Sequence, residues 1–380
     1  MPRIHVTPLV GALTLAVPLA SALAQSAPTD STPKITVGAF VDAYFAWDFG
    51  RPPSLDRSFS GGALFTTQPA RHNEFNVNLA FIEAKLDAPH YRGRVALQVG
   101  TSVQSNYSGE PNRGSVSGPS LGRHIQEAVV GLKIANNIWV DGGIFYSHMG
   151  LESWASRDNL TYTRSLVGDY SPYYQSGVKM TWTASPKLTA QLNVVNGWQN
   201  ISENNSGKGV GVRLDYAATT SRTISYYNFL SSEAGSKLRT FNGVGAKQTT
   251  GKLTLLGEFD YGSQSKGRGG GQSTWYGWTA VARVQTTPTA ALLFRAEGYE
   301  DPDQVIVGTG TTTNGISSRA NPALRALGGS VGLDITPFAR VAWRTELRGW
   351  RNKNALFPDG NNSLPSRNSI VAVSSLSLTF

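Results

Sequence analysis

The side chains best suited to covalent or metal chemistry in this chain are its histidines and their neighbours. There are five histidines and no cysteine. His5 lies in a short basic and apolar opening segment, which leaves His72, His90, His124 and His148. Ser147 and His148 stand side by side with Glu152 close behind, which invites comparison with a nucleophile and its base. On an extended strand, however, adjacent residues point to opposite faces, so the pair does not form locally. Glu152 then reads as a loop carboxylate. No His-Glu-x-x-His run or cysteine pair offers a metal site, and no cofactor is expected. The Gly/Arg-rich stretch from Gly267 to Gly271 lacks the strand-to-helix context of a phosphate cradle.

A second kind of chemistry is electrostatic, and its spacing is far more regular. Charges recur two residues apart: Arg92 and Arg94, Arg213 and Asp215, Glu258 and Asp260, Arg295 and Glu297, Arg344 with Glu346 and Arg348. Between them stand apolar residues, as in Tyr91 to Gln104, where Val95, Leu97, Val99 and Val103 oppose Arg92, Arg94, Gln98 and Gln104. Leu188 to Trp198 and Ala339 to Trp350 repeat the pattern. A period of two places one set on each face of a strand, whereas a helix would scatter the charges round its circumference.

These residues need a scaffold of strands. Alternating segments fall near 35–48, 73–87, 91–104, 123–135, 138–148, 173–183, 188–198, 209–217, 222–230, 237–249, 252–262, 274–286, 290–300, 324–335, 339–350 and 368–380. Most have the length that crosses a bilayer at a tilt. Long links near 49–72, 105–122, 149–172, 199–208, 263–273, 301–323 and 351–367 alternate with short turns. The turns include Ala88-Pro89-His90, Asn136-Asn137, Ala184 to Lys187, Thr250-Gly251, Thr287-Pro288-Thr289 and Thr336-Pro337-Phe338. Residues 231–236 form a link short for the long-loop end. Strict alternation puts all long loops at one end, as in an all-β, transmembrane, antiparallel up-and-down barrel of about sixteen strands, with short periplasmic turns and long extracellular loops.

The two ends agree. Residues 1–24 have a basic start, an apolar run from Val6 to Ala20 and Ala22-Leu23-Ala24, the form of a cleaved export signal. Residues 25–34 would be a short periplasmic segment, and 35–380 the barrel. The last strand alternates to Phe380, with Ile370, Ala372, Leu376 and Leu378 on its parity. Charged residues make up 16%, against about 25% in soluble domains. No stretch after residue 24 is apolar for 18 residues, so a helical span is not expected. Trp47, Trp182, Trp198, Tyr261, Trp278 and Phe380 fall near strand ends, where rings favour the membrane interface.

A barrel of sixteen strands leaves an aqueous channel. Parity places Asp42, Arg92, Arg94, Glu127, Asp141, Lys179, Arg213, Asp215, Arg239, Glu258, Asp260, Arg283, Arg295, Glu297, Arg344, Glu346 and Arg348 in it, with Gln98, Lys133, Gln191, Asn193 and Lys247. Basic residues outnumber acids in that set, which predicts a modest anion preference. The link 149–172 is rich in Trp, Tyr and Leu. It is expected to fold inward and narrow the pore, with Glu152, Arg157, Asp158 and Arg164 at the constriction.

The run from Trp139 to Gly150, followed by Tyr162-Thr163-Arg164-Ser165-Leu166 and Tyr170 to Gly177, resembles the OmpL-like β-barrel porins of Gram-negative-type bacteria. The likeness extends from about Ile35 to Phe380. It implies an outer-membrane location and diffusion of small hydrophilic solutes, and it supplies no binding residues to carry over. Phe380 also resembles the terminal signal read by the barrel-assembly machinery. General porins of sixteen strands often form homotrimers, and that assembly is expected by resemblance. Outer-membrane lipids and lipopolysaccharide are the expected surroundings. The positive charges are spread one or two per strand rather than in a stripe, so no nucleic-acid partner is expected. The alternative is an outer-membrane barrel enzyme, lipase- or protease-like, with a site near the extracellular rim around Ser147 and His148.

Overall fold

A computed structural model of the chain describes residues 32–233, 237–266, 270–310, 312–313, 316–317, 322–360 and 364–380. The export signal and most of the segment that follows it lie outside the described residues. Sixteen strands form one closed antiparallel barrel. They are β1 (Lys34–Asp48), β2 (Phe75–Asp87), β3 (Tyr91–Val99), β4 (Ile125–Ala135), β5 (Ile138–Tyr146), β6 (Tyr174–Ser185), β7 (Leu188–Val195) and β8 (Gly209–Thr219). The second half comprises β9 (Arg222–Glu233), β10 (Lys237–Thr250), β11 (Leu253–Ser265), β12 (Gln272–Thr287), β13 (Ala290–Glu300), β14 (Arg325–Phe338), β15 (Val341–Asn352) and β16 (Asn368–Thr379). Each strand pairs with its neighbours in sequence, and β16 closes on β1 from Phe40↔Thr379 to Asp48↔Val371. A two-residue hairpin, Thr312–Thr313 with Ile316–Ser317, stands apart from the barrel.

The period of two decides which face meets which solvent. On β11, Leu253, Leu255, Phe259 and Tyr261 are exposed on the outside, while Leu256, Glu258, Asp260 and Gln264 are buried inside. The same division runs round the wall, giving an apolar outer surface and a polar, aromatic-studded interior. No described helix is long and apolar enough to cross a membrane.

Four expectations are corrected. The third strand ends at Val99, and residues 101–106 form helix α1 (Thr101–Asn106) instead of continuing to 104. Gly100, at φ +140°, makes the break: a Cβ there would lie 2.3 Å from the Asn78 carbonyl oxygen. Thr336-Pro337-Phe338 is the end of β14 rather than a turn, and the chain turns at residues 339–340. Proline is accommodated because the ladder is irregular between Ile335 and Phe338, so no amide hydrogen is missed there. The link at 231–236 is shorter still, because β9 and β10 run on to Glu233 and from Lys237. Likewise the link at 263–273 shrinks to residues 266–271.

Long connections fill the outer mouth of the barrel. Phe59 and Phe65, from the first of them, pack with Phe357 from the last, and Phe65 meets Trp350 edge-on at 4.8 Å. Leu166, Val167 and Val307 join the same buried cluster with Tyr227, Phe229, Phe241, Trp275 and Tyr299 from the wall. Inward aromatic rings thus give the loops an apolar seat inside the barrel.

Candidate pore and its inner loop

The connection between β5 and β6, residues 147–173, folds into the barrel. It is stiffened by a 3₁₀ turn (Ser156–Asp158) and by helix α2 (Leu166–Asp169), which Ser165 caps by accepting from the Gly168 amide. Its stem is seated by His148, whose Nε2 is 2.8 Å from the Asn228 carbonyl and whose Nδ1 is 2.9 Å from the Gln175 amide oxygen. Burial holds the His148 imidazole below its ordinary titration range.

The far wall grips the loop with charged groups. Arg344 donates to the carbonyls of Ser156 at 2.5 Å and Asn159 at 2.8 Å while pairing with Asp334 at 2.8 Å. Arg295 donates to the Thr163 carbonyl at 2.8 Å and pairs with Glu346, which accepts the Thr163 amide at 2.8 Å. Arg348 donates to the Arg164 carbonyl at 2.6 Å and pairs with Glu297 at 2.7 Å, and Glu297 accepts the Leu166 amide at 2.8 Å. Ser156 donates to Asp42 at 2.8 Å, and the Leu151 amide reaches Glu258 at 3.3 Å. Three arginines, three carboxylates and the loop backbone therefore form one interlocked, buried network, in which removing any member leaves a desolvated partner.

Within the loop, Glu152 accepts from the amide and hydroxyl of Ser165. Burial raises its carboxyl above the ordinary range, and Arg295 draws it back. Arg164 does not face the passage as expected. Its guanidinium is fully buried, 3.2 Å from the centre of the Tyr173 ring and beside Trp154, donates to Thr67 at 3.0 Å and is brought down to about 10 by desolvation. It braces the loop's interior against the first long connection. Asp158 and Glu152 instead border an open cavity of about 220 Å³, which Arg213, Asp215 and Lys247 also line. Arg157 and Asp158 border a second, of about 430 Å³, toward the short turns.

Elsewhere round the wall, Arg92 pairs bidentately with Asp141 at 2.6–2.7 Å. Arg94 pairs with Glu83 at 2.6 Å and with Glu127, and Arg213 with Asp215 at 2.7 Å. Arg239 donates to Gln264 and lies over Trp198. Arg283 bonds to Gln285 at 2.5 Å. Lys133 and Lys179 sit over the rings of Trp139 and Phe145. Glu258 and Asp260 both contact the Tyr227 hydroxyl, at 2.5 and 2.6 Å. Gln191 and Asn193 share the inward parity of β7. Glu83, Lys85 and Asp334 are charged inward groups that the sequence reading passed over. Glu83 and Lys85 share the two-residue spacing, but an irregularity beside Val77–Leu79 shifts the parity of their strand. Asp334 follows the ordinary alternation of its strand, with Val331, Leu333 and Ile335 on the outward parity and Ser330 and Gly332 on its own, so the same rule marks it.

Of the expected interface rings, Trp182 and Tyr261 are exposed on the outer face and Phe380 is exposed beyond β16. Trp47 and Trp278 share the outward parity of their strands. Trp198 does not join them. It lies beyond the end of β7 and meets Phe229, Phe241 and Trp275 edge-on at 5.0–6.3 Å inside the mouth. The strand stops at Val195, so parity no longer governs its direction.

Comparison with known proteins agrees with this architecture. The family described as "Putative beta-barrel porin-2, OmpL-like" matches residues 34–380. The chain belongs to this OmpL-like porin family. None of the curated protein sequences compared with it matches. Among solved structures, the porin's fold is similar to an anion-selective porin from Comamonas acidovorans, with a TM-score of 0.57, 13% identity and coverage of 92% of this chain and 100% of that one. It is also similar to Salmonella typhi OmpF in complex with daunomycin, with a TM-score of 0.56, 14% identity and coverage of 91% and 98%. OprB of Pseudomonas putida gives a TM-score of 0.56 at 12% identity, with coverage of 92% and 94%. At these identities the likeness is one of fold. Family and fold together make this an outer-membrane porin channel.

Proposed function

We propose that this porin is a passive, water-filled channel for small hydrophilic solutes, with a modest preference for anions. The observation that carries the preference is an imbalance on the wall. Among the described residues, the inward Lys133, Lys179 and Lys247 have no carboxylate within ion-pair distance and remain accessible, whereas the wall carboxylates that lack a cation at that distance, such as Asp42, Glu258 and Asp260, are buried, and the charges of Arg295, Arg344 and Arg348 are matched in holding the inner loop. Unmatched cations beside a narrow passage lower the barrier for anions more than for cations. The inner loop is the constriction in this reading, with Glu152, Arg157 and Asp158 on its open side. Reversal potentials across a KCl gradient test it. A modest anion bias is expected, reduced in a K179Q/K247Q variant, and a clear cation preference would refute it.

The same reading covers biogenesis. Residues 1–24 act as a cleaved export signal, the C-terminal strand with Phe380 engages the assembly machinery, and lipopolysaccharide and lipid surround a homotrimer. The enzymatic alternative gains nothing from the geometry, since His148 bonds to Gln175 and Asn228 while Ser147 accepts from the Met149 amide.

A further inference from the structure

The cavity of about 430 Å³ beneath the inner loop is not evenly lined. Arg157, Lys247, Arg283, Arg340 and Arg344 border it, against the carboxylates Asp158 and Asp334. Asp334 is held by Arg344 at 2.8 Å, with Arg283 at 3.9 Å on the same oxygen. Asp158 is 3.7 Å from Arg157. Lys247 and Arg340 are exposed and make no ion pair among the described residues. Hydroxyls of Thr249, Thr254 and Ser377 stand on the same walls. A surplus of cations with hydroxyl donors around a chamber of this size is suited to a compact ion of several negative charges and several oxygens. A monovalent ion would leave most of the surplus unmatched.

We propose that the short-turn end of the lumen holds a saturable site for a small multivalent carboxylate, entered from the side of the short turns. The proposal rests on the channel reading above and adds a binding step to it. Lys247 and Arg340 supply the unmatched charge, Arg283 and Arg157 supply planar donors, and the inner loop closes the chamber above. Such a site makes permeation of polycarboxylates saturate with concentration, and it makes the channel respond differently to the same ion presented from its two ends.

The probe is citrate, with acetate as the monovalent comparison, in single-channel recordings at fixed KCl. The chain contains no cysteine, so a Ser221→Cys substitution at a short turn assigns orientation through a membrane-impermeant thiol reagent. Citrate added on the short-turn side should block the current in a saturable, voltage-dependent way, and from the other side only weakly. Acetate should not block. In K247Q/R340Q the half-blocking concentration should rise by up to about fivefold for each charge removed. Both positions are exposed, and heat-modifiable gel mobility confirms that the variant is folded. Equal block from both sides, or block unchanged in the folded double variant, would overturn the site. Channels that open but ignore citrate would overturn it and leave the porin reading standing, whereas refolded protein that forms no channel would remove both.

Discussion

Arg344→Met asks whether the inner loop is clamped by its wall. Arg344 is buried and directs two charge-assisted hydrogen bonds into the loop, to Ser156 at 2.5 Å and Asn159 at 2.8 Å. Bonds to charged groups contribute about 1.5–3 kcal/mol each, so the pair is worth at most about 3–6 kcal/mol. Water in the lumen can take over part of this, which brings the expected loss to about 2–3 kcal/mol, or roughly 30- to 150-fold in the docking equilibrium. Arg295, Arg348, Glu297 and Glu346 still hold Thr163 to Leu166, so the loop should remain docked on average. The readout is therefore the fraction of time a single channel spends in brief high-conductance excursions, expected to rise by that factor. Deleting residues 152–168 should raise the conductance itself. In the deleted background, Arg344→Met should leave the excursions unchanged, because nothing remains to be released. Excursions that are equally frequent with and without the loop, or unaltered by the substitution, would refute the clamp and make Arg344 merely a wall charge.

Three further outcomes follow from the loops and their seats. Glu110 accepts from the amides of Ile201 at 3.0 Å and Ser202 at 2.8 Å and from the Tyr174 hydroxyl at 2.8 Å, so Glu110→Ala should loosen the link after β7 by about 2–3 kcal/mol and speed its proteolysis near 201–208. Gly211 lies under the inner loop's stem, where a Cβ would sit 2.1 Å from His148 Nε2 and 2.7 Å from the Asn228 carbonyl; Gly211→Ala should cost about 1–3 kcal/mol, read as a lower temperature for the heat-modified gel shift. Because burial lowers the His148 titration from 6.5, its contribution to docking is complete above pH 6.5 and is lost as pH falls through the lowered folded value. Excursions should therefore increase on acidification below pH 6.5, and His148→Gln should remove that step. Glu152 and Asp169, both raised by burial, act in the opposite sense at lower pH, since protonation relieves their desolvation and favours the docked loop.

The wall of this porin was legible because its rule is local. Residue by residue, Arg92, Arg94, Arg213, Asp215, Glu258 and Asp260 follow a period set by the pleat alone, and the barrel interior holds them all. What parity does not encode is the partner across the lumen. Arg344, Glu346 and Arg348 read in sequence as pore charges like Arg92 and Arg94, yet they are bound to Ser156, Asn159, Thr163 and Arg164, some 180 residues away in the chain. The direction of Trp198 and the seclusion of Arg164 are missed for the same reason, since both lie in connections whose course is set by packing against distant aromatic rings. Where strands break at Gly100 and shift near Val77–Leu79, a single residue changes which face follows.

This division bears on how selectivity should be reasoned about. A charge count over all inward positions mixes two populations. One, the Arg295, Arg344, Arg348, Asp334, Glu297 and Glu346 network, is internally matched and buried, so its field largely cancels at the passage. The other, which includes Lys133 on β4, Lys179 on β6 and Lys247 on β10, has no carboxylate within ion-pair distance among the described residues. Neutralising a member of the first should disturb the loop and change conductance more than ion preference. Neutralising a member of the second should change ion preference with little effect on gating. Matched pairs of variants, Arg348→Met against Lys179→Gln, separate the two by recording excursions and reversal potential on the same channels. If the two substitutions shift both quantities alike, the distinction between holding charges and steering charges fails.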